Sequence, residues 1–130
     1  MKNFKTIKDK VGSPLVNMGP IKLRQPLPTE GIEMVDPFLL LHHYGPYAIS
    51  VYNNPFDLGP HPHRGFEPIT ILIKGEQLHR DSLGNEMLVK AGDVQWTTAG
   101  RGIVHAEGPS KAFIEKGGDL EGIQLWLNLP

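Results

Sequence analysis

Residues 61–75 of the chain read HPHRGFEPITILIKG and begin with two histidines separated by one residue. In an extended strand, side chains two positions apart lie on the same face, so His61 and His63 can point toward one position. Pro62 favours extended geometry in the residue before it and donates no backbone hydrogen bond. We interpret the segment as a stiff strand that presents a histidine pair, with a surface loop as the alternative for this segment alone.

The same spacing recurs in residues 92–107, GDVQWTTAGRGIVHAE, where His105 and Glu107 follow a glycine-rich turn. Taken alone, His105 could be a hydrogen-bonded core histidine and Glu107 a solvated charge. Two facing strands that carry both pairs would bring three imidazoles and one carboxylate to one point. That donor set is typical of a mononuclear site for a divalent transition metal, and open positions on the metal leave room for chemistry.

The composition predicts a single all-β domain. The chain has 130 residues, of which 39% are hydrophobic, with 15 glycines and 12 prolines. This length is typical of one domain that buries roughly two-thirds of its unfolded-chain surface. Abundant glycine and proline favour many short strands joined by tight turns over a helical bundle.

Several segments are typical of strands and turns. Residues 67–74, EPITILIK, are rich in β-branched residues and predict a strand. Residues 81–85, DSLGN, contain the residues of a hairpin turn. Residues 39–44 predict a buried strand that ends at Gly45, and residues 123–129 predict the final strand. Turns at this spacing indicate a β-sandwich or a β-barrel.

Charge and composition exclude several classes of partner and cofactor. The net charge is −1 and no run of basic residues is longer than two, so we expect no direct nucleic-acid contact. No segment approaches the ~18 apolar residues of a membrane span, and the N-terminus lacks the apolar stretch of a secretory signal. The absence of cysteine excludes disulfides and thiolate ligands, so redox chemistry would need a bound cofactor. We expect a cytoplasmic protein.

The motifs resemble a known family. Residues 61–75 and 92–105 approximate the two motifs of the cupin superfamily, and the combination HPHRGFE, HRDSLGN and GDVQWTTAGRGIVHAE resembles its pirin branch. The earlier stretch PLPTEGIEMVDPFLLLHHYGP is also similar to pirins, so the resemblance covers residues 15–130. It implies a double-stranded β-helix, or jelly-roll, barrel. Because pirin-like proteins normally contain two barrels, we expect residues 1–130 to form the first and the second to be absent.

The resemblance implies one iron, most simply Fe(II), with ligands matching His61, His63, His105 and Glu107. The general cupin motif would instead place Glu67 as the fourth ligand. Pirin-like proteins use the carboxylate two residues after the last histidine, so we favour Glu107 as ligand and catalytic base. Glu67 then becomes a structural residue or one that supports the ligands. The donor set itself also suits other divalent metals.

The family's known activities lead to two hypotheses. The first is an Fe(II) dioxygenase of the quercetin 2,3-dioxygenase type, which acts on flavonol-like aromatics while Glu107 takes the hydroxyl proton. The second is a non-enzymatic, iron-dependent redox-sensing or transcription-cofactor-like module that binds a protein partner. A roomy, aromatic-lined cavity would favour the enzyme, and a site sealed by side chains would favour the module.

We expect structural or solvent-exposed roles for the histidine, aromatic and basic residues outside the ligand set. We interpret His42 and His43 as structural, because neighbours in a strand face opposite sides. His79 is expected at the surface or beside the ligands. The remaining aromatic and basic candidates are expected in the core (Trp96, Trp126) or in solvent (Arg64, Arg101).

We also expect a homodimer. A lone barrel would expose an apolar face that the second barrel covers in the two-barrel family, and such patches are usually interfaces. Residues 12–31 and 123–129 bracket the missing half and are the expected contributors. An exposed strand edge there could pair with its own copy.

Overall fold

The computed structural model describes residues 5–130, which form ten strands and one short helix. The strands are β1 (Leu15–Met18), β2 (Ile21–Leu27), β3 (Phe38–Ile49), β4 (Leu58–His63), β5 (Glu67–Lys74), β6 (Glu76–Asp81), β7 (Glu86–Lys90), β8 (Val94–Trp96), β9 (Ile103–Gly108) and β10 (Gly118–Leu127). Helix α1 spans Lys111–Lys116. Within residues 5–130, no helix is long and apolar enough to cross a membrane.

Two antiparallel sheets face each other across the interior. The larger has the order β1-β2-β3-β10-β5-β8, and the smaller has the order β4-β9-β6-β7. All recorded strand pairs are antiparallel. The predicted all-β jelly-roll architecture is therefore confirmed. Strand β5 occupies the predicted residues 67–74, and the predicted hairpin turn joins β6 to β7.

The prediction that a strand ends at Gly45 is wrong. Strand β3 continues to Ile49, because β10 pairs with it on both sides of the glycine. Tyr44 pairs with Gly122 and Tyr47 pairs with Leu120, so two residues of β3 lie opposite one residue of β10. This is a β-bulge, and Gly45 has a φ of 82°, which glycine adopts without strain.

The apolar core fills one end of the barrel. Buried side chains from both sheets and from the loop before β4 pack there: Ile21, Leu23, Tyr44, Ile49, Phe56, Leu72, Val89 and Leu120. The Tyr44 ring stacks on Phe56 at 4.5 Å, and the Tyr44 hydroxyl donates to Gln77 Oε1 at 3.0 Å. This packing joins the two sheets.

The smaller sheet carries the histidines. Strands β4 and β9 are neighbours, and His61 lies directly opposite His105. Strand β6 flanks β9 on its other side and places His79 opposite Glu107. Since side chains at alternate positions share a face, His61, His63, His105 and Glu107 belong to one side of this sheet.

Candidate metal centre

Three histidine rings converge inside the barrel. The Nε2 atom of His105 lies 2.9 Å from Nε2 of His61 and 2.9 Å from Nε2 of His63. His63 and His105 are buried, and His61 is half-buried. The i, i+2 spacing on β4 and the direct pairing of His61 with His105 bring these atoms together, as the sequence pattern predicts.

The hydrogen bond made by the Nδ1 atom of His61 determines the tautomer of that ring. His61 Nδ1 donates to the carbonyl oxygen of Gly59 at 2.8 Å, because a carbonyl can only accept. In the neutral ring the proton is then on Nδ1, and Nε2 presents a lone pair to the cluster. Metal-binding histidines commonly hold their second nitrogen in this way.

The rings of His63 and His105 are neutral at ordinary pH. Burial, reinforced by the neighbouring His61, lowers the pKa of His63 to about 4. Burial, followed by the charges of the neighbouring histidines, lowers the pKa of His105 to about 3. A metal binds the deprotonated imidazole, so both rings are already in the binding form.

The geometry of the three nitrogens fits a metal ion. Metal–imidazole bonds are about 2.0–2.1 Å long, so two imidazole nitrogens at right angles around one ion lie about 3 Å apart. The observed 2.9 Å separations match that spacing. Lone pairs that face each other this closely need a proton or a cation between them. The residues present therefore fit a divalent transition metal.

Glu107 lies beside this cluster but is not part of it. Among the described residues, two groups could hold an ion, one of His61, His63 and His105 and one of His79, His105 and Glu107. His105 belongs to both. Glu107 Oε1 lies 3.9 Å from His105 Nδ1. The four predicted ligands are thus close neighbours, with the carboxylate displaced from the three imidazoles.

The Glu107 carboxylate is buried and held by an amide. It is 3% exposed, and Gln95 Nε2 on β8 donates a hydrogen bond to Oε1. Burial raises the pKa of Glu107, and the Gln95 bond and nearby histidines partly oppose the rise. A carboxylate with a raised pKa is a stronger base than an ordinary glutamate.

His79 is buried, so its expected surface alternative is wrong. Its ring is 4% exposed, and Nε2 lies 3.2 Å from Asp81 Oδ2. Asp81 also accepts from Asn85 Nδ2 and from the backbone of the hairpin turn. These bonds, chiefly the one from Asn85, lower the pKa of Asp81. A fixed aspartate therefore orients the ring that neighbours His105 and Glu107.

The Glu67 carboxylate accepts hydrogen bonds from side chains outside the histidine cluster. Trp96 Nε1 donates to its Oε2, and Thr98 Oγ1 donates to its Oε1 at 3.3 Å. Glu67 belongs to neither of the two candidate metal groups. The general cupin ligand position thus bonds to two side chains of the β8 region.

The core prediction for the tryptophans needs correction. Trp96 is 56% exposed, because β8 is an edge strand and its side chain lies on the outer face. Trp126 is half-buried and lies against the histidine cluster, with its ring 5.6 Å from His63 and 4.5 Å from Phe66. Phe66 and Trp126 shield one side of the histidine cluster from water.

The other candidate residues lie apart from the cluster. His42 Nε2 lies 2.8 Å from Gln25 Oε1, and His43 Nε2 lies 3.0 Å from Glu121 Oε1. Both histidines make the structural contacts expected of them. Arg64 and Arg101 are exposed, also as expected.

A cavity of about 600 Å³ opens between β7 and β8 beside the polar interior. Its lining includes His79 and Gln95, the side chains next to Glu107, and apolar residues such as Met87, Val94 and Ile103. The volume is typical of a small-molecule site. The residues that line it include no lysine or arginine.

Comparison with solved structures identifies the type of barrel. A crystal structure of quercetin 2,3-dioxygenase from Acinetobacter baumannii has a TM-score of 0.77 and 40% identity, over 92% of this chain and 42% of that chain. The two-sheet barrel with its inward histidines is therefore a cupin barrel. The Pirin family model matches residues 20–127. The chain belongs to the pirin family.

Relatives by sequence agree with that assignment. A pirin-like protein from Caulobacter vibrioides is 39% identical over 119 residues, which make up 92% of this chain and 41% of that protein. A Pseudomonas aeruginosa protein that carries a provisional quercetin 2,3-dioxygenase name is 48% identical over 96 residues, or 74% of this chain and 34% of that protein. The chain spans less than half the length of these curated relatives.

Sequence reasoning missed Gln95 and Asp81 as partners of the centre. Gln95 stands in a short apolar strand, and its inward direction follows only from the pairing of β8 with β5. The sequence around Asp81 indicates a turn residue, and Asp81 does accept a backbone hydrogen bond in the turn. Its contact with the His79 ring depends on the i, i+2 spacing of the two residues. That spacing, the same as in the two ligand pairs, is the signal that could have identified it.

Proposed function

We propose that the chain is a metal-dependent dioxygenase of the quercetin 2,3-dioxygenase type. The observation that carries the proposal is the convergence of the three imidazoles, with His105 Nε2 2.9 Å from Nε2 of His61 and of His63. A cavity of about 600 Å³ is lined by His79 and Gln95, the neighbours of Glu107. The names of the relatives support the same class of chemistry. The substrate we propose is a flavonol-like aromatic with adjacent hydroxyl and carbonyl oxygens.

The proposed ligands are His61, His63, His105 and Glu107, and the proposed metal is Fe(II). The 2.9 Å separations of His105 Nε2 from the other two Nε2 atoms support the imidazole ligands. Glu107 would have to move from its place beside His79 and His105 to join them. Fe(II) fits a site of nitrogen and carboxylate donors that activates oxygen, although the donor set binds other divalent metals in vitro. When bound, the metal would polarise the substrate oxygens and supply the redox chemistry of oxygen activation.

Glu107 has the properties of the proton acceptor. Its carboxylate is buried next to the cluster, and burial raises its pKa, so it would accept a phenolic proton more readily than a solvated glutamate. Gln95 orients the carboxylate by its hydrogen bond. His79 and its partner Asp81 border the same space.

The cavity favours a neutral aromatic substrate over a small anion. Its walls combine apolar side chains, among them Met87 and Val94, with uncharged polar groups such as Gln95 and Thr97. The only formal charges in the lining besides histidine are the carboxylates of Asp81 and Asp93. A carboxylate substrate would be repelled there, whereas a flat polyphenol could bury its rings and donate hydroxyl groups.

The alternative of a protein-binding regulatory module has one supporting feature. The outer face of β5 and β8 exposes Ile73, Val94 and Trp96. Exposed apolar groups on one sheet face are typical of interfaces. Ile73 lies outside the cavity, whereas Val94 and Trp96 also border it, so substitutions at Ile73 and at His63 test the two functions separately.

Oxygen uptake tests the enzymatic proposal. The protein is reconstituted with Fe(II) under anaerobic conditions and then mixed with oxygen and quercetin. We expect oxygen consumption that depends on both the metal and the flavonol, and no consumption by the matched His63→Ala protein. Stoichiometric iron in the wild-type protein without flavonol-dependent oxygen uptake would overturn the dioxygenase proposal and favour the regulatory module.

A further inference from the structure

Gln95 and Glu107 meet in the interior although they belong to different sheets. Gln95 lies on β8 at the edge of the larger sheet, and Glu107 lies on β9 within the smaller sheet. The amide nitrogen of Gln95 donates to Glu107 Oε1. The amide oxygen of Gln95 is buried and has no hydrogen-bond partner among residues 5–130. Its bond to Glu107 is therefore the contact that orders this amide.

That bond holds Glu107 away from the three imidazoles. If each ligand atom is about 2.1 Å from a common ion, no two ligand atoms are more than about 4.2 Å apart. The Nε2 atom of His105 satisfies this limit with those of His61 and His63, and all three lie within 4.8 Å of one another. The carboxylate of Glu107 groups instead with His79 and His105, so it must move before it can share an ion with all three imidazoles.

Gln95 also faces the space where a substrate would lie. It lines the cavity of about 600 Å³, together with His79 and Ile103. One side chain therefore touches both the Glu107 carboxylate and the cavity. A molecule that enters the cavity can compete for the Gln95 amide and so change the position of Glu107.

We propose that Gln95 is a positioning residue that competes with the bound metal for the carboxylate of Glu107. In the Gln95-bound position, Glu107 is a free base next to the cavity, and the three imidazoles hold the ion. When Gln95 releases it, Glu107 swings to the ion as a fourth ligand. The inference rests on the proposed metal centre, because it describes how one of its ligands is shared.

Affinity for Co(II) alone, measured by competition with a chromophoric chelator, tests this inference without turnover. Gln95→Met keeps the length of the side chain but removes the amide donor. We expect Co(II) to bind about tenfold or more tightly to Gln95→Met than to the wild type, since a hydrogen bond to a charged group no longer opposes the swing. The visible spectrum of Co(II) should change at the same time, because a carboxylate joins its ligands.

Three further variants make the result specific. In the Glu107→Gln background, Gln95→Met should leave Co(II) affinity unchanged, since there is no carboxylate to release. Gln77→Met is the matched control, because Gln77 is a buried amide that bonds to Tyr44 and does not touch Glu107. Gln95→Asn, which keeps the amide but is one methylene shorter, gives a second measurement if the methionine variant unfolds.

The possible outcomes separate this inference from the proposed function. Tighter Co(II) binding that vanishes in the Glu107→Gln background supports competition for the carboxylate. Unchanged or weaker binding in Gln95→Met, or an equal gain in the Glu107→Gln background, overturns it. A wild-type protein that binds no Co(II) contradicts the metal centre itself, which is a different result.

Discussion

The Nε2 atoms of His63 and His105 lie 2.9 Å apart in the barrel interior, and both rings are buried. Neither nitrogen has access to much water, and burial keeps both rings neutral. Such a contact costs free energy unless a proton or a cation lies between the lone pairs. A bound ion would satisfy these lone pairs together, and the following predictions depend on this arrangement.

The metal-free protein should lose stability as the pH falls. The pKa values of His63 and His105 are lowered in the folded state, to about 4 and about 3, from an ordinary value of 6.5. Below pH 6.5 the unfolded chain binds more protons, so the free energy of unfolding decreases as the pH falls from 6.5 toward 4. Urea unfolding of the metal-free protein at a series of pH values measures this slope.

The matched His63→Ala protein should show a shallower slope over the same range, because one shifted histidine is gone. Each shifted pKa unit corresponds to about 1.4 kcal/mol. A free energy of unfolding that stays constant or rises between pH 6.5 and pH 4 would show that the rings are not held neutral.

Glu107 and Glu67 should respond in opposite ways to the same substitution. Glu107→Gln keeps the shape but removes the charge and the base, so turnover should fall by about 10²–10⁴-fold with little loss of stability. Glu67→Gln weakens the contacts to Trp96 and Thr98, so it should lower stability by about 1 kcal/mol and retain the metal. Kinetics, metal analysis and thermal unfolding measure these effects. Loss of metal in Glu67→Gln with retention in Glu107→Gln would reverse the assignment.

Gly122 allows Tyr44 to cross the interior. A Cβ atom at position 122 would lie 2.3 Å from the Tyr44 hydroxyl oxygen, whose bond to Gln77 helps to join the two sheets. Gly122→Ala should therefore reduce the free energy of unfolding by about 1–3 kcal/mol. Gly59→Ala is the matched control, since nothing lies within 4 Å of a Cβ there. Equal stability of the two variants would contradict this packing.

We expect a homodimer, as in the sequence analysis, but propose the outer face of β5 and β8 as the contact in place of residues 12–31 and 123–129. Ile73, Val94 and Trp96 are 43%, 56% and 56% exposed on that face. Burial of these groups against a second copy would remove them from water. Light scattering at about 100 µM should give twice the chain mass of 14.4 kDa.

Ile73→Lys should shift the dimer toward the monomer, because it places a charge in the proposed interface without changing a residue of the cavity. Leu83→Lys changes an exposed residue of the hairpin turn and serves as the control. A monodisperse wild-type monomer at that concentration would rule out the dimer.

Much of the fold follows from local sequence patterns. The β-branched run of β5 and the turn residues after Asp81 have strong local preferences, so both features could be predicted. The meeting of His61, His63 and His105 could be predicted because strand alternation places i, i+2 residues on one face. The resemblance of the two histidine motifs to cupin motifs predicted the barrel, and the barrel brings the two strands together.

The rest depends on how strands pair across the molecule. Trp96 resembles a core residue because its strand is apolar, but β8 lies at an edge and directs the ring outward. Gln95 reaches Glu107 only because β8 and β9 face each other across the interior. Neither β8's place at the edge nor that approach is encoded in a local pattern, so neither could be read from the sequence alone.

Elemental analysis of the purified protein after metal loading tests the central claim most directly. We expect close to one divalent metal per chain in the wild type, almost none in His63→Ala and His105→Ala, and most of it in His79→Ala. The His79→Ala protein is the matched control, since it removes a buried histidine next to the cluster but outside the three converging nitrogens. Stoichiometric metal in the His63→Ala protein would contradict the assignment of this centre.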